Sequence, residues 1–498
     1  MENKFIEGIM KENNKTYTEN GALAYRTTDS ALLDLFGTIG SLRTRIPNDI
    51  IAKFTKAFSE DQLLAMKMLF YARNIRGGLG EKRTFRILIN YMAKYHTEIM
   101  EKNLDLIPYF GRWDDLYALV DTPLEKQVFD LIREQLKEDL NNCDNGKEIS
   151  LMAKWLSSTS GVSPQSVKLG RITAKNLHLS YKAYRQILSK LRKKLNIIER
   201  NMSQDEWNKI VYNQIPALAM KRYKNALMRH NCIEFDNYIK KVKKGEEKIN
   251  AKTLYPYDLM KAGRLADRWH SDSREYYYDL PAYDEVIEQQ WKALPNYVEG
   301  ENNVLVMADT SGSMTGTPVA TSIGLSLYFA ERNSGPWHNK FLTFSSEPTF
   351  IDLKGTNLKE KVNCIPDICD NTNIEEAFKL VLATAVNNHL KQEDMPKAII
   401  IISDMEFDRA TTARNNETIM EAMGREYAAR GYKLPKIIFW NADSRQDVYH
   451  AVSETKNVAL VSGQSVSTFK TVLNSINEDA YQIMFDTLND KMYDIVRI

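Results

Sequence analysis

The chain is poor in the features that would set it apart from ordinary folded proteins. It has 4 cysteines in 498 residues, too few for a disulfide scaffold, and that scarcity points to a reducing, cytoplasmic compartment. No uninterrupted apolar run approaches the roughly 20 residues needed to span a bilayer. The opening segment, residues 1–19, is polar and lacks the apolar core of a secretory signal. Net charge is also small, with 67 Lys and Arg against 65 Asp and Glu, a formal +2. Because 43% of residues are hydrophobic, so balanced a chain is not wholly disordered. Its length suggests two or three domains of about 150 residues. The run Gly77-Gly78-Leu79-Gly80 lacks the preceding strand and following Lys-Ser/Thr of a phosphate-binding loop, so it is expected to end a helix. Cys364 and Cys369 have no second cysteine pair or nearby histidine to complete a zinc tetrahedron and read as small buried hydrophobes. The 7 histidines are scattered, and no nucleophile–base pair is legible.

What the chain does have is charge unevenly placed. Residues 151–254 carry 22 Lys and Arg against 7 Asp and Glu, a local excess of +15, whereas residues 301–498 carry 19 against 26. So concentrated a positive field attracts polyanions, and binding through it weakens steeply with salt as counterions are released.

Residues 20–290 read as mostly helical, a stacked array of short helices. Helix starts are expected at Ser59-Glu60-Asp61-Gln62, at Thr122-Pro123-Leu124-Glu125 and at Ser203-Gln204-Asp205-Glu206, each a capping pattern. A helix is expected from about Tyr181 to Arg200. Tyr184, Ile187, Leu188, Leu191, Leu195 and Ile198 would form its apolar stripe. Lys182, Arg185, Arg192 and Lys193 would project from the other side, with Lys190 and Lys194 flanking. Lys168, Arg171 and Lys175 precede this helix, and Lys221, Arg222, Lys224 and Arg229 lie on a later one. These thirteen side chains are the candidate nucleic-acid contacts. Lys240, Lys241, Lys243 and Lys244 read as a solvated turn. Trp113, Trp155 and Trp207 could stack on bases, but their apolar neighbours favour core packing. The acidic, tyrosine-rich stretch 271–300 reads as a connector.

From Asn303 apolar strands alternate with helices, the pattern of a parallel sheet covered on both faces. Strands are expected at Val304–Ala308, Lys340–Ser345, Ala398–Ile402, Ile437–Trp440 and Val458–Val461. Function in such doubly wound folds sits at the carboxyl edge of the strands. There the first strand runs into Asp309-Thr310-Ser311-Gly312-Ser313, another loop carries Asn371-Thr372-Asn373, and Ser403-Asp404 follows the isoleucine-rich strand. Asp309, Ser311, Ser313, Thr372 and Asp404 thus offer oxygen ligands only, a hard donor set suited to Mg²⁺. Taken alone, the D-x-S-x-S run could equally be a capped helix start. A phosphotransfer role for Asp309 is disfavoured, because Ser311 stands where such chemistry wants a second acid.

The constellation resembles the metal-ion-dependent adhesion site of von Willebrand factor A domains, over residues 303–498. The resemblance implies that the serines and threonine ligate directly or through water, that the aspartates complete the shell, and that a position stays open for a partner's acidic group. In the helical half, Tyr71-Ala72-Arg73-Asn74-Ile75-Arg76-Gly77-Gly78-Leu79-Gly80-Glu81 looks like the R-x-x-R-G-G-x-G-E segment of Ro-type (TROVE) ribonucleoproteins and their relatives. Ile107–Leu116, Ala153-Lys154-Trp155-Leu156 and Tyr184-Arg185 through Leu191-Arg192 are similar to the relatives' pattern. This resemblance implies a ring of HEAT-like helix pairs at 20–290 followed by a von Willebrand A domain at 291–498. It also implies binding of small structured or misfolded noncoding RNA.

The expectation is therefore a non-catalytic, monomeric RNA-binding protein with Mg²⁺ at the sheet edge. The alternative is a Mg²⁺-dependent scaffold that captures an Asp or Glu of a protein partner. An enzyme is disfavoured, since the site offers a single cation and no legible base.

Overall fold

The computed structural model describes residues 4–262, 283–298, 302–366, 371–414, 416–474 and 477–498. It divides into two compact units, one of Met1–Ala65 with Ala251–Lys491 and one of Met66–Asn250 with Met492–Ile498.

The first unit is built on a sheet of β3 (Val304–Asp309), β4 (Lys340–Phe344), β5 (Thr349–Asp352), β6 (Ala398–Ser403), β7 (Lys436–Asn441) and β8 (Val458–Ser462), in the spatial order β5-β4-β3-β6-β7-β8. All neighbours are parallel except β4 and β5. Every residue of β3, β6, β7 and β8 is buried. That explains their unbroken Val, Ile and Leu runs, because strands covered on both faces need no polar alternation. Helix Thr317–Arg332 packs on β3, β4 and β6 and is buried continuously from Val319 to Ala330. The antiparallel β5 was not expected. It returns from β4 through Ser345–Pro348, and its half-exposed Phe350 marks a short edge strand without the apolar run that identified the others.

The expected boundary near residue 290 is not where the compact units divide. Residues 4–65 belong to the unit of the sheet. β1 (Lys15–Tyr17) and β2 (Leu23–Tyr25) pair antiparallel, and the backbones of Tyr25 and Tyr449 exchange hydrogen bonds at 2.8 and 3.0 Å. Gly40 approaches the end of β8 so closely that a Cβ there would stand 2.6 Å from Gly463 Cα, and only glycine permits that contact. Part of the expected connector is also structured. Helix Glu285–Lys292 buries Trp291, whose Nε1 donates to Glu331 at 2.5 Å. The rest of the connector, 271–282 and 299–300, like His270 and Cys369, lies outside the described residues. Cys364 is half-buried.

The second unit is helical. Helix Tyr181–Lys194 is shorter than expected. Leu195 caps it, Asn196 turns the chain at φ 47, and Ile198 starts a new helix, Ile198–Ser203. Ser203 therefore ends a helix instead of starting one, donating to Glu199 O at 2.6 Å, and Asp205 at φ 56 continues the turn. In the first unit, at the first expected capping site, Asp61, not Ser59, accepts from Leu64 N at 2.8 Å, while Ser59 bonds back to Thr55 O. The helix expected at Pro123 begins at Glu125.

The four motif segments of the helical half converge in one polar network. Arg73 Nε and Arg86 Nε each donate to the fully buried Asp115 at 2.7 Å. Ile75 N donates to Phe110 O at 3.1 Å, and Arg76 binds Tyr109 O. Arg112 stacks on Trp155 at 4.0 Å. Arg192 donates to Ala153 O and Leu156 O at 2.8 and 2.6 Å, and Tyr184 Oη to Ser157 O at 2.9 Å. Gly111 is confined by this network, since a Cβ would meet Asp115 Oδ2 at 2.6 Å.

Candidate functional site

The strand order reverses between β3 and β6, whose carboxyl ends lie side by side with Ala308 opposite Ile402. Buried Asp309 ends β3 and accepts from Ser311 N at 2.9 Å and from Ser403 Oγ at 2.5 Å. The Ser311 and Ser313 hydroxyls stand 3.0 Å apart. Buried Asp404 leaves β6 and accepts from Glu406 N at 3.2 Å and Arg445 Nη2 at 2.8 Å. Between them Met405 is held at φ 70, a left-handed conformation uncommon for a large side chain and concentrated at functional loops. Buried Thr372 precedes helix Ile374–Asn387, its amide donating to Asp408 Oδ2 at 3.1 Å.

The electrostatics of this edge are unfavourable to its own acids. Burial, then the charge of Asp404, raises the Asp309 carboxyl above its ordinary range. Glu406 is pushed up to about 7 by burial and by the charges of Glu19 and Asp404. Its Oε2 accepts from Glu19 N at 2.7 Å, whereas buried Oε1 has no hydrogen-bond partner. Buried carboxylates so placed gain from a cation, and the hydroxyl-rich oxygen donor set suits Mg²⁺. Among the described residues no three His, Cys, Asp or Glu side chains come together as a metal cage. A cation here would therefore depend on Ser311, Ser313 and Thr372 as much as on Asp309 and Asp404.

Glu406, Asp408 and Arg445 were missed as members of this edge, as were Glu19 and Asn20, and Ser403 was placed in its loop without a role. The alternating acids Asp404, Glu406 and Asp408 were a readable signal directly after the strand. Glu19 carried none, because its contact depends on a segment distant in sequence.

The thirteen candidate RNA residues separate into distinct groups. Lys168, Arg171 and Lys175 are exposed on helix Pro164–Asn176 at spacings of three and four. Arg171 lies 5.9 Å over the Tyr181 ring, at the start of the next helix. Lys182, Arg185 and Lys193 are exposed on that helix, opposite its buried Tyr184, Leu188 and Leu191. Arg185 Nη1 reaches Thr159 Oγ1 at 3.5 Å, and the other three residues there are engaged more closely within the fold. Arg192 is turned onto backbone carbonyls as described, Lys190 pairs with Asp144, and Lys194 donates to Gly146 O at 3.0 Å. Lys221, Arg222, Lys224 and Arg229 stand apart on helix Ala217–His230, which packs against Cys232–Lys243. Of the later lysines, Lys240, Lys241 and Lys243 belong to that second helix, and Lys240 pairs with Asp236 at 2.6 Å. Trp113, Trp155 and Trp207 are half-buried, and Trp207 stacks on His230 at 4.2 Å. Among the described residues no helix is long and apolar enough to cross a membrane.

Comparison with known proteins adds kinship. Residues 303–494 match a domain of unknown function, DUF7788. Residues 18–128 and 121–302 match a second, DUF2828. The change of model at residue 303 coincides with the change of sequence pattern at Asn303. An uncharacterised protein of Acanthamoeba polyphaga mimivirus is 30% identical over 507 residues, covering 93% of this chain and 85% of the viral one. With more than half of its length matched by one model, the chain belongs to the DUF2828 family of proteins.

Proposed function

We propose that the protein binds RNA without catalysis, through the open basic face of helices Pro164–Asn176 and Tyr181–Lys194. One observation carries this reading: Lys182, Arg185 and Lys193 are exposed along one helix face, while the opposite face is anchored by buried Tyr184, Leu188 and Leu191. From Lys182 to Lys193 that stripe spans about 16 Å at the helical rise, and Lys168, Arg171 and Lys175 extend the charge onto the neighbouring helix. Cations fixed on a rigid element can follow a phosphate backbone without first being ordered. The resemblance to Ro-type ribonucleoproteins, with their helical ring, supports small noncoding RNA as the ligand. A filter-binding titration against salt tests the reading. Affinity should fall steeply with salt, and charge reversal at Lys182, Arg185 and Lys193 should weaken all RNAs alike. Affinity indifferent to both would remove it.

A second reading is favoured by the sheet edge. Asp309, Ser311, Ser313, Thr372 and Asp404 would hold Mg²⁺ as in the von Willebrand A domains that this half resembles, leaving a position for a partner's carboxylate. Mg²⁺ would supply the positive charge that a partner's acid needs. The protein's own residues would fix its place at the junction of β3 and β6. Mg²⁺-dependent thermal stabilisation lost in Ser311→Ala supports this reading, and equal melting with Mg²⁺ or EDTA opposes it.

A further inference from the structure

The turn Thr18–Gly21, between β1 and β2, is fastened onto the loops of the sheet edge. Thr18 Oγ1 donates to Phe407 O at 2.7 Å, and Glu19 N to Glu406 Oε2 at 2.7 Å. Asn20 Nδ2 donates to Glu406 O at 2.6 Å and reaches Thr372 Oγ1 at 3.5 Å. The exposed Glu19 carboxylate lies 3.2 Å from Arg445 Nη2, the same nitrogen that holds Asp404 at 2.8 Å. Arg445 is thus shared between an acid of the edge and an acid brought to it by the turn.

Beside the turn runs a cleft of about 670 Å³, lined among others by Tyr17, Leu23, Arg409 and Arg414. Both arginines are exposed. The acid in the same lining, Glu417, is bound by Arg425, each carboxylate oxygen accepting at 3.0 Å, and its Oε2 also accepts from Arg414 N at 2.8 Å, so this one acid offsets the two arginines only in part. A lining that combines aromatic and aliphatic side chains with two arginines suits a chain with spaced carboxylates. A dense polyphosphate is less suited, because Asp408, held to the lining residue Gly21 by a β-bridge, adds negative charge beside the cleft.

We propose that this cleft is the docking groove of an acidic peptide, and that Glu19 is the internal stand-in for the peptide's leading carboxylate at Arg445. The peptide lies along Arg409 and Arg414, and its first acid displaces Glu19 next to Asp404. The inference deepens the Mg²⁺ reading of the edge and rests on it for the role of the cation. The groove itself stands on the arginines and on Glu19.

The test is fluorescence anisotropy of a fluorescein-labelled oligoglutamate peptide with the full chain, in Mg²⁺ and in EDTA. Reversal of Arg409 and Arg414 to Glu should weaken binding about tenfold, as expected for lost and inverted charge at a recognition surface. Glu19→Gln keeps the backbone bond to Glu406 but removes the competing charge, and should tighten binding by about threefold or more. Arg409→Gln and Arg414→Gln, with wild-type melting temperature, serve if the reversals unfold the protein. Arginine-dependent binding that is equal in Mg²⁺ and EDTA would uphold the groove and remove the metal reading. Binding indifferent to the arginines or to Glu19→Gln would overturn the proposal. So would polyuridylate held at those arginines more tightly than the peptide.

Discussion

Ser403 donates its hydroxyl to Asp309 Oδ2 at 2.5 Å, tying together the ends of two parallel strands at the point where the sheet order reverses. Ser403 Oγ also accepts from Met405 N at 3.0 Å, so one serine holds both the buried acid of β3 and the left-handed turn after β6. Ser403→Ala leaves Asp309 with one fewer donor in a buried place. It should destabilise the protein by about 1–3 kcal/mol, the usual loss when a buried charged group is deprived of a partner. Urea unfolding of the variant checks this, and an unchanged midpoint would show that water replaces the hydroxyl.

Acid should weaken the same unit at a second place. Glu375 accepts from the amides and hydroxyls of Thr411 and Thr412 and pairs with Lys379 at 3.0 Å. Burial opposes its charge, but these donors outweigh burial and draw its pKa down to about 2. For a carboxyl depressed in the folded state, the stabilisation is full above its ordinary value and fades as pH falls towards the folded one. On the order of 2 kcal/mol should therefore be present above about pH 5 and mostly gone near pH 2. The melting temperature of Glu375→Gln should lie below wild type at neutral pH and converge with it in acid. A constant gap would mean that the carboxylate charge is not what holds Thr411 and Thr412.

How much of this was legible follows from the range of each interaction. The parallel strands announced themselves because burial on both faces demands apolar runs, and Ala398–Ile402 can hardly be anything else. Asp309, Ser311 and Ser313 were visible because they follow directly from such a run, and Thr372 and Asp404 because each begins the segment after a strand or before a helix. Glu19 was hidden, since its partners Glu406 and Arg445 are distant in sequence and no period or spacing encodes them. Arg192 misled for another reason. Its helical position is only slightly off the exposed stripe, and a guanidinium that reaches Ala153 O and Leu156 O looks, in sequence, the same as one that reaches solvent.

The buried network around Asp115 should be the least tolerant part of the helical unit. Arg73 and Arg86 both donate to this fully buried carboxylate, and Arg112 N adds a bond at 3.0 Å. Asp115→Ala strands the Arg73 guanidinium in a buried setting, where breaking one side of an ion pair costs about 3–5 kcal/mol. Gly111→Ala should fail comparably by forcing a methyl group against Asp115. Both variants should accumulate poorly and expose helical amides to hydrogen exchange. Wild-type protection in either would remove the network from the stabilising core.

Arg192 and Lys193 are adjacent in sequence yet should answer opposite questions. Arg192 Nε and Nη2 close the ends of the Ala153–Leu156 segment, so Arg192→Ala frees two carbonyls and should cost about 2 kcal/mol of stability. Lys193 is exposed on the open face, and Lys193→Ala should leave stability within about 0.5 kcal/mol of wild type. With RNA the order reverses. Lys193→Ala should reduce the slope of log affinity against log salt by just under one, the signature of a single lost phosphate contact. Folded Arg192→Ala should keep the wild-type slope, because its charge is already committed to the protein. Paired melting and salt-titration measurements on the two variants separate the roles. A reduced slope for Arg192→Ala at full stability would instead place that arginine on the RNA.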